Sequence, residues 1–250
     1  MGKVRFAMLS VAAMLACGLA NVASALPVYD QTFLTNYDKL VATPLPNNAT
    51  DLLYVSPAAT PERLSKYTAL MIDQPEILIS PKSEYSGAKP ADLEAISEQV
   101  RKDIIEALKA GGYGIVEAPG PNVLYIKSAV TDLMLKRKKR RLLAYTPVGF
   151  VLKAGVDATR DMMEKYDIMG DAAQGQILDS QSSEVLGEFV ALRGNNGQRI
   201  TFDQMNAEIQ GFASRLRCRL DNTHVPEDKR IDCLDPAARA AREAAGPVVH

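Results

Sequence analysis

Residues Pro90–Ala110 constrain the fold more than any other stretch. Leu93, Ile96, Val100, Ile104 and Leu108 recur at steps of three and four, which gathers them on one stripe of an α-helix. Pro90 suits a first helical turn. Asp92 and Glu94 near the start and Lys109 near the end match the helix dipole, and Gly111-Gly112 stops the element. A helix apolar on a single stripe must lie against another layer, so the rest of the chain has to supply one.

The neighbouring segments predict a sheet as that layer. Leu52–Val55 reads as a short strand within an otherwise extended, Pro/Asn/Thr-rich stretch from Leu26 to Pro61. Ala69–Ile79 reads as a strand interrupted by Pro75, which cannot donate to a ladder and so marks an edge or a bulge. Tyr113–Glu117 and Val123–Leu135 are strands about the turn Pro119-Gly120-Pro121-Asn122, with Leu124, Ile126, Ser128 and Val130 on one face. Thr146-Pro147 predicts a helix start, with the helix running to about Met169. Ala172–Asp179 and Val185–Arg193 predict a hairpin, and Gly194-Asn195-Asn196-Gly197 a second turn. A last helix starts at Thr201, which with Gln204 makes a capping box, and buries Phe202, Met205, Ile209, Phe212 and Leu216. Beyond Pro236 an Ala/Arg-rich tail reads as frayed or as a short helix. The expected class is α+β: a mainly antiparallel sheet of about 4–5 strands with helices packed largely on one face, in two layers, plus an extended N-terminal arm.

The first 25 residues stand outside that fold. Lys3 and Arg5 precede an apolar run from Phe6 to Ala20, and Ala23-Ser24-Ala25 is a small-x-small site. This is the pattern of a secretory signal peptide cleaved after Ala25, and its apolar core is short for a membrane span. Met14-Leu15-Ala16-Cys17 loosely matches a lipobox, so lipidation at Cys17 is the alternative. The expected organisation is signal peptide 1–25, extended arm 26–61, α+β domain 62–220, and loop and tail 221–250. Removing the leader leaves 225 of the 250 residues, with 27 Lys+Arg against 30 Asp+Glu and two cysteines, Cys218 and Cys233. In an oxidising compartment an even pair predicts one disulfide. It would close a loop of 16 residues. Metal binding is disfavoured, because His224 is the single nearby imidazole.

Several segments, taken in order, resemble one bacterial family. They are Phe33-Leu34-Thr35-Asn36-Tyr37-Asp38-Lys39-Leu40, Leu53-Tyr54-Val55-Ser56-Pro57 and Tyr67 to Ile72. After these come Glu117-Ala118-Pro119-Gly120-Pro121 leading to a strand ending Thr131-Asp132, then Leu178-Asp179-Ser180 followed by Glu184-Val185-Leu186. The chain resembles the envelope lipoprotein family named domain of unknown function 3313 over most of residues 33–217. The resemblance implies a secreted Gram-negative envelope protein with a compact mixed domain, and it implies no activity or catalytic residues. The poor lipobox and the C-terminal cysteine loop depart from the family.

Chemistry is sparse in the sequence. No GxSxG, HExxH, P-loop or GxGxxG is present. No cofactor, metal or catalytic residue is therefore assigned. Glu184 and Glu188 lie about 13 Å apart on a strand, too far for a glycosidase pair. Asp73 and Glu76 fall on opposite faces of an unbroken strand. Solvated strand carboxylates are the expected reading, and a carboxylate-based hydrolase the least favoured.

One feature invites a partner. Lys136, Arg137, Lys138, Lys139, Arg140 and Arg141 stand consecutively, on a body whose net charge without them is -9. An apolar stretch follows, Leu142-Leu143-Ala144-Tyr145 and Val148–Leu152. A leader argues against nucleic acid as the partner. Anionic lipid, an anionic wall or surface polysaccharide, or an acidic protein would suit the run, while a plain solvated loop is the competing account. The expected function is a secreted, non-enzymatic accessory protein of the cell envelope, periplasmic or lipid-anchored at the outer membrane. The expected mature chain has no transmembrane span. A protein-assembly module using the sheet face or edge is the alternative.

Overall fold

The computed structural model describes residues 28–45, 49–137, 166–193 and 199–249. Eight strands form one sheet: β1 (Val41–Pro44), β2 (Thr50–Val55), β3 (Ala69–Ile72), β4 (Glu76–Ile79), β5 (Gly114–Ile115), β6 (Val123–Arg137), β7 (Tyr166–Asp179) and β8 (Val185–Leu192). The helices are α1 (Pro61–Leu64), α2 (Pro90–Ala110), α3 (Phe202–Asp221) and α4 (Pro236–Ala244). The order across the sheet is β1-β2-β8-β7-β6-β3-β5, with β4 also paired to β6. The α+β class holds, but the sheet has eight strands rather than 4–5.

The β1-β2-β8-β7-β6 run is antiparallel, whereas β3 and β4 both pair parallel with β6 and β3 pairs parallel with β5. The parallel side follows from connectivity. The chain leaves β4, crosses through α2 and returns to β5 and β6, and such a crossover delivers parallel strands. Pro75 does interrupt the expected strand. It separates β3 from β4, and both halves continue along β6, from Ile72 opposite Ile126 to Glu76 opposite Ala129.

Helices α2 and α3 cover one face. Ile96, Val100, Ile104 and Leu108 from α2 meet Met205, Ile209, Phe212 and Leu216 from α3 in one core over the sheet. The capping box is present, with Thr201 Oγ1 accepting from Gln204 N and Gln204 Oε1 accepting from Thr201 N. The side chain of Phe202 lies outside the described residues. The tail forms α4, capped by Asp235.

Two expectations along the strands change. Tyr166–Met169 is the start of β7, so the helix expected to reach Met169 cannot extend that far. Residues 146–165 and the turn at 194–197 lie outside the described residues. In β6, Leu124, Ile126, Ser128 and Val130 share the helix-facing side as expected, but Asp132 adopts φ 53 and the register with β7 shifts there. One extra residue reverses the alternation. Leu133 and Leu135 therefore continue the buried face in place of 132 and 134.

The C-terminus is strapped back onto the helix layer. Val248 N and Val249 N both donate to Gly111 O, and Val249 is buried in the core. Gly112 has φ 92, and a Cβ there would stand 2.0 Å from Val249 O. Gly112→Ala should cost about 1–3 kcal/mol through strain and displacement of the strap. In a chain ending at Gly246 the same change should cost measurably less, because only the backbone strain remains. Thermal unfolding of the four variants in a double-mutant cycle checks this.

Candidate functional site

A cavity of about 530 Å³ lies between the sheet and the two long helices, within the usual range for small-molecule sites. Its origin is legible in side-chain size. Ala173 and Ala191 face each other across β7 and β8, and Ser128 pairs with Gly175 across β6 and β7. Ser128, Ala173 and Ala191 form the floor under α2 and α3, so the layers cannot close on each other there, whereas the Phe189 ring fills the space over Gly175. Ile96, Val100 and Ile104 on α2 and Met205, Ile209 and Phe212 on α3 form the ceiling. Ser128 Oγ is buried in this wall without a hydrogen-bond partner.

Charge gathers at the rim. Asp51 Oδ2 on β2 accepts from Arg219 Nη2 at 2.9 Å and is ion-paired with Arg215, whose Nε lies 3.2 Å away. Arg239 on α4 also lines the cavity, held by bonds to Ser214 Oγ and Cys233 O. Burial pushes the Arg215 guanidinium below its ordinary range. Asp51 opposes that shift, while Arg219 and Arg239 reinforce it. A second group holds Arg193 between Asp171, at 2.9 Å, and Glu208. Burial raises both carboxyls, and Arg193 offsets part of the rise.

The opposite face of the sheet carries a buried polar cluster under the N-terminal arm. Glu188 is 0% exposed. Its Oε1 accepts from Thr35 N at 3.0 Å, Thr35 Oγ1 at 2.7 Å and Gln176 Nε2 at 2.7 Å, and its Oε2 accepts from Asn36 N at 2.9 Å. Burial alone would raise this carboxyl, but the four bonds outweigh it and hold Glu188 below the ordinary glutamate range. Gln174, also 0% exposed, accepts from Tyr37 OH and donates to Asp30 O and Thr131 Oγ1. Asp30 N donates to Asp132 Oδ2 at 2.7 Å. Leu34, Leu52, Val190 and Leu192 add a small apolar core beside them.

The expectation of solvated strand carboxylates is corrected for Glu188, while Glu76 and Glu184 are exposed as expected. Glu188 is buried because β8 has a covered face on both sides of the sheet. Glu184 is ion-paired with Arg63 at 2.8 Å, and Asp73 accepts from the Tyr125 hydroxyl. Neither carboxylate pair is brought together as a site. Asp179, which accepts from Tyr67 OH at 2.6 Å and from Ser182, is held down to about 2 by those bonds.

Of the basic run, Lys136 and Arg137 end β6. Lys136 Nζ contacts Glu84 Oε2 at 3.1 Å, and the Arg137 guanidinium lies over the Tyr85 ring. Lys138, Lys139, Arg140 and Arg141 lie outside the described residues, as do Cys17 and the cleavage site after Ala25. Cys218 and Cys233 form the expected disulfide, with their Cα atoms 5.7 Å apart. Among the described residues no group of three His, Cys, Asp or Glu is placed to hold a metal ion. No helix among them is long and apolar enough to cross a membrane. The cavity and the Glu188 cluster were both missed by sequence reasoning. The available signals were the small residues Ser128, Ala173 and Ala191 in strands, and the alternation of Gln174 with Gln176.

Comparison with known proteins gives three findings. The family described as "Protein of unknown function (DUF3313)" matches residues 29–216. No curated protein matches. Among solved structures, a PelC dodecamer from Paraburkholderia phytofirmans is 13% identical, covering 65% of this chain and 92% of that one, with a TM-score of 0.36. A point variant of that dodecamer from the same organism is 12% identical over the same shares, with a TM-score of 0.35. Likeness at that level bears on neither mechanism nor assembly of this chain.

Proposed function

Because the chain belongs to the DUF3313 family of proteins of unknown function, we propose that it acts by binding rather than by catalysis. In this reading it is a secreted accessory protein of the cell envelope that holds an anionic envelope component through the basic run at 136–141. The leader ending at Ala25 delivers it to the periplasm, with acylation of Cys17 and outer-membrane anchoring as the alternative.

The observation that supports this reading is where β6 ends. Lys136 and Arg137 still pair with Asp167 and Tyr166 of β7 and are exposed, so the first two residues of the run are presented to solvent on an ordered strand. Each Lys or Arg near an anionic membrane surface contributes about 1 kcal/mol. Reversing Lys138, Lys139, Arg140 and Arg141 to Glu should therefore weaken co-sedimentation with phosphatidylglycerol-containing vesicles on the order of a hundredfold or more at low salt. The loss should shrink at high salt. Binding unchanged at every salt concentration overturns the proposal.

A second reading, a protein-assembly module, draws on one observation. Strand β1 is a sheet edge; its first residue, Val41, is 68% exposed, and Val55 at the end of β2 is 56% exposed. A crosslinked protein partner that survives the charge reversals would favour it.

A further inference from the structure

We propose that the cavity between the sheet and helices α2 and α3 is a binding site for a single-chain amphiphile with an anionic head group. The interior suits a chain. Its ceiling is the aliphatic side chains of α2 and the Met205, Ile209 and Phe212 stripe of α3, and its floor is Ala173 and Ala191. A folded domain gains stability by filling such space, so a void kept open by small residues on three adjacent strands is a cost that an occupant would offset.

The rim suits an anion. Arg215 and Arg219 both pair with Asp51, and Arg239 lines the cavity beside Arg215, tied to Ser214 Oγ and Cys233 O rather than to a carboxylate. Two guanidinium groups on one carboxylate, with Arg239 lining the same cavity, leave excess positive charge at a partly buried position, and guanidinium favours planar carboxylate or phosphate oxygens. The second rim group sets Arg193 against two carboxylates, Asp171 and Glu208, and so offers an anion no free positive charge. The head group is therefore assigned to the Arg215–Arg239 end. Ser128 Oγ supplies a further buried, unpartnered polar atom in the wall. A fatty acid and a lysophospholipid share this chemistry, and they differ in head group.

Neither Lys136 nor Arg137 lines the cavity, and the variants used here leave the basic run unchanged, so the two proposals fail independently. The test titrates the full mature chain with dodecanoate, dodecyl phosphate and dodecyltrimethylammonium below their micelle concentrations, by calorimetry and thermal shift. Both anions should bind with one-to-one stoichiometry, and the cation at least tenfold more weakly. The tighter anion identifies carboxylate or phosphate as the native head. Ala173→Leu and Ala191→Leu should abolish anion binding while leaving the melting temperature equal or higher. Arg239→Gln should weaken anion binding at least tenfold without weakening the cation, which gives a reading even if a filled variant misfolds. No saturable anion binding, equal binding of the cation, or undiminished binding by a folded Ala191→Leu variant would each overturn the assignment.

Discussion

Glu188→Ala should release the N-terminal arm and lower the unfolding free energy by about 2–4 kcal/mol, because each neutral donor left buried and unsatisfied costs about 1–3 kcal/mol and some will find water. The change deletes an acceptor shared by four donors, two of them the backbone amides of Thr35 and Asn36. These donors would remain in a low-dielectric setting with nothing to accept from them, and each such orphan is costly. Hydrogen exchange reads the effect directly, because the amides of Thr35 and Asn36 are themselves the bonded groups. They should exchange faster in the variant while amides of α2 and α3 keep their order of protection. Glu188→Gln should be milder, since one oxygen still accepts. Acid should mimic the loss. The carboxyl titrates below its ordinary value in the folded state, so its contribution is complete above the unfolded pKa of about 4.3 and is lost as pH falls through the folded value. Arm amides that exchange no faster in Glu188→Ala would show that the apolar contacts of Leu34 hold the arm unaided.

Loss of the Cys218–Cys233 bridge is the second large effect. Closing a 16-residue loop restricts the unfolded chain, and the chain-entropy account gives about 3 kcal/mol. For a domain of this size that corresponds to a melting temperature lower by about 6–12 °C. The folded loop has non-covalent ties as well. Asn222 Nδ2 donates to Ile231 O at 2.8 Å, Ile231 N donates to Asn222 Oδ1 at 3.1 Å, and Arg239 Nη1 donates to Cys233 O at 2.7 Å. Cys218→Ala/Cys233→Ala should therefore unfold at lower temperature while keeping its native spectrum at 25 °C. A melting temperature within a degree of the parent would mean that the unfolded state is already restricted without the bridge.

Local rules made part of this fold legible. The stripe from Ile96 to Leu108, the Thr201 capping box and the Ser180–Glu184 hairpin turn each depend on residues a few positions apart, and each is present where the pattern puts it. The pairing of β2 with β8 and the parallel edge at β3 and β4 depend on contacts across long sequence separations, which periodicity does not encode. A strand–helix–strand order around α2 did carry the signal for parallel pairing. Tyr166–Met169 was drawn into a helix because no stop signal separates it from the segment before. The Asp132 bulge hid the second half of β6, since one inserted residue exchanges the faces. Glu188 was unreadable for a related reason. A charged residue among Val185, Leu186, Phe189 and Val190 reads as the wet side of a strand unless something elsewhere in the chain covers that side, and the cover is 150 residues away in the arm. The cavity followed from absent volume rather than from a motif, so no pattern of residue types announced it.

The pairing of β2 with β8 also sets a schedule for the growing chain. The β1–β2 hairpin has no neighbouring strand until β8 has been made, because Thr50–Val55 pairs with Gly187–Leu192. Loop closure over such a span is entropically slow rather than prohibitive. A chain emerging amino end first therefore carries an unpaired strand edge through most of its synthesis. The first residues to appear are among the last to find their place, and the interval before β8 arrives is when this protein is most exposed to mispairing.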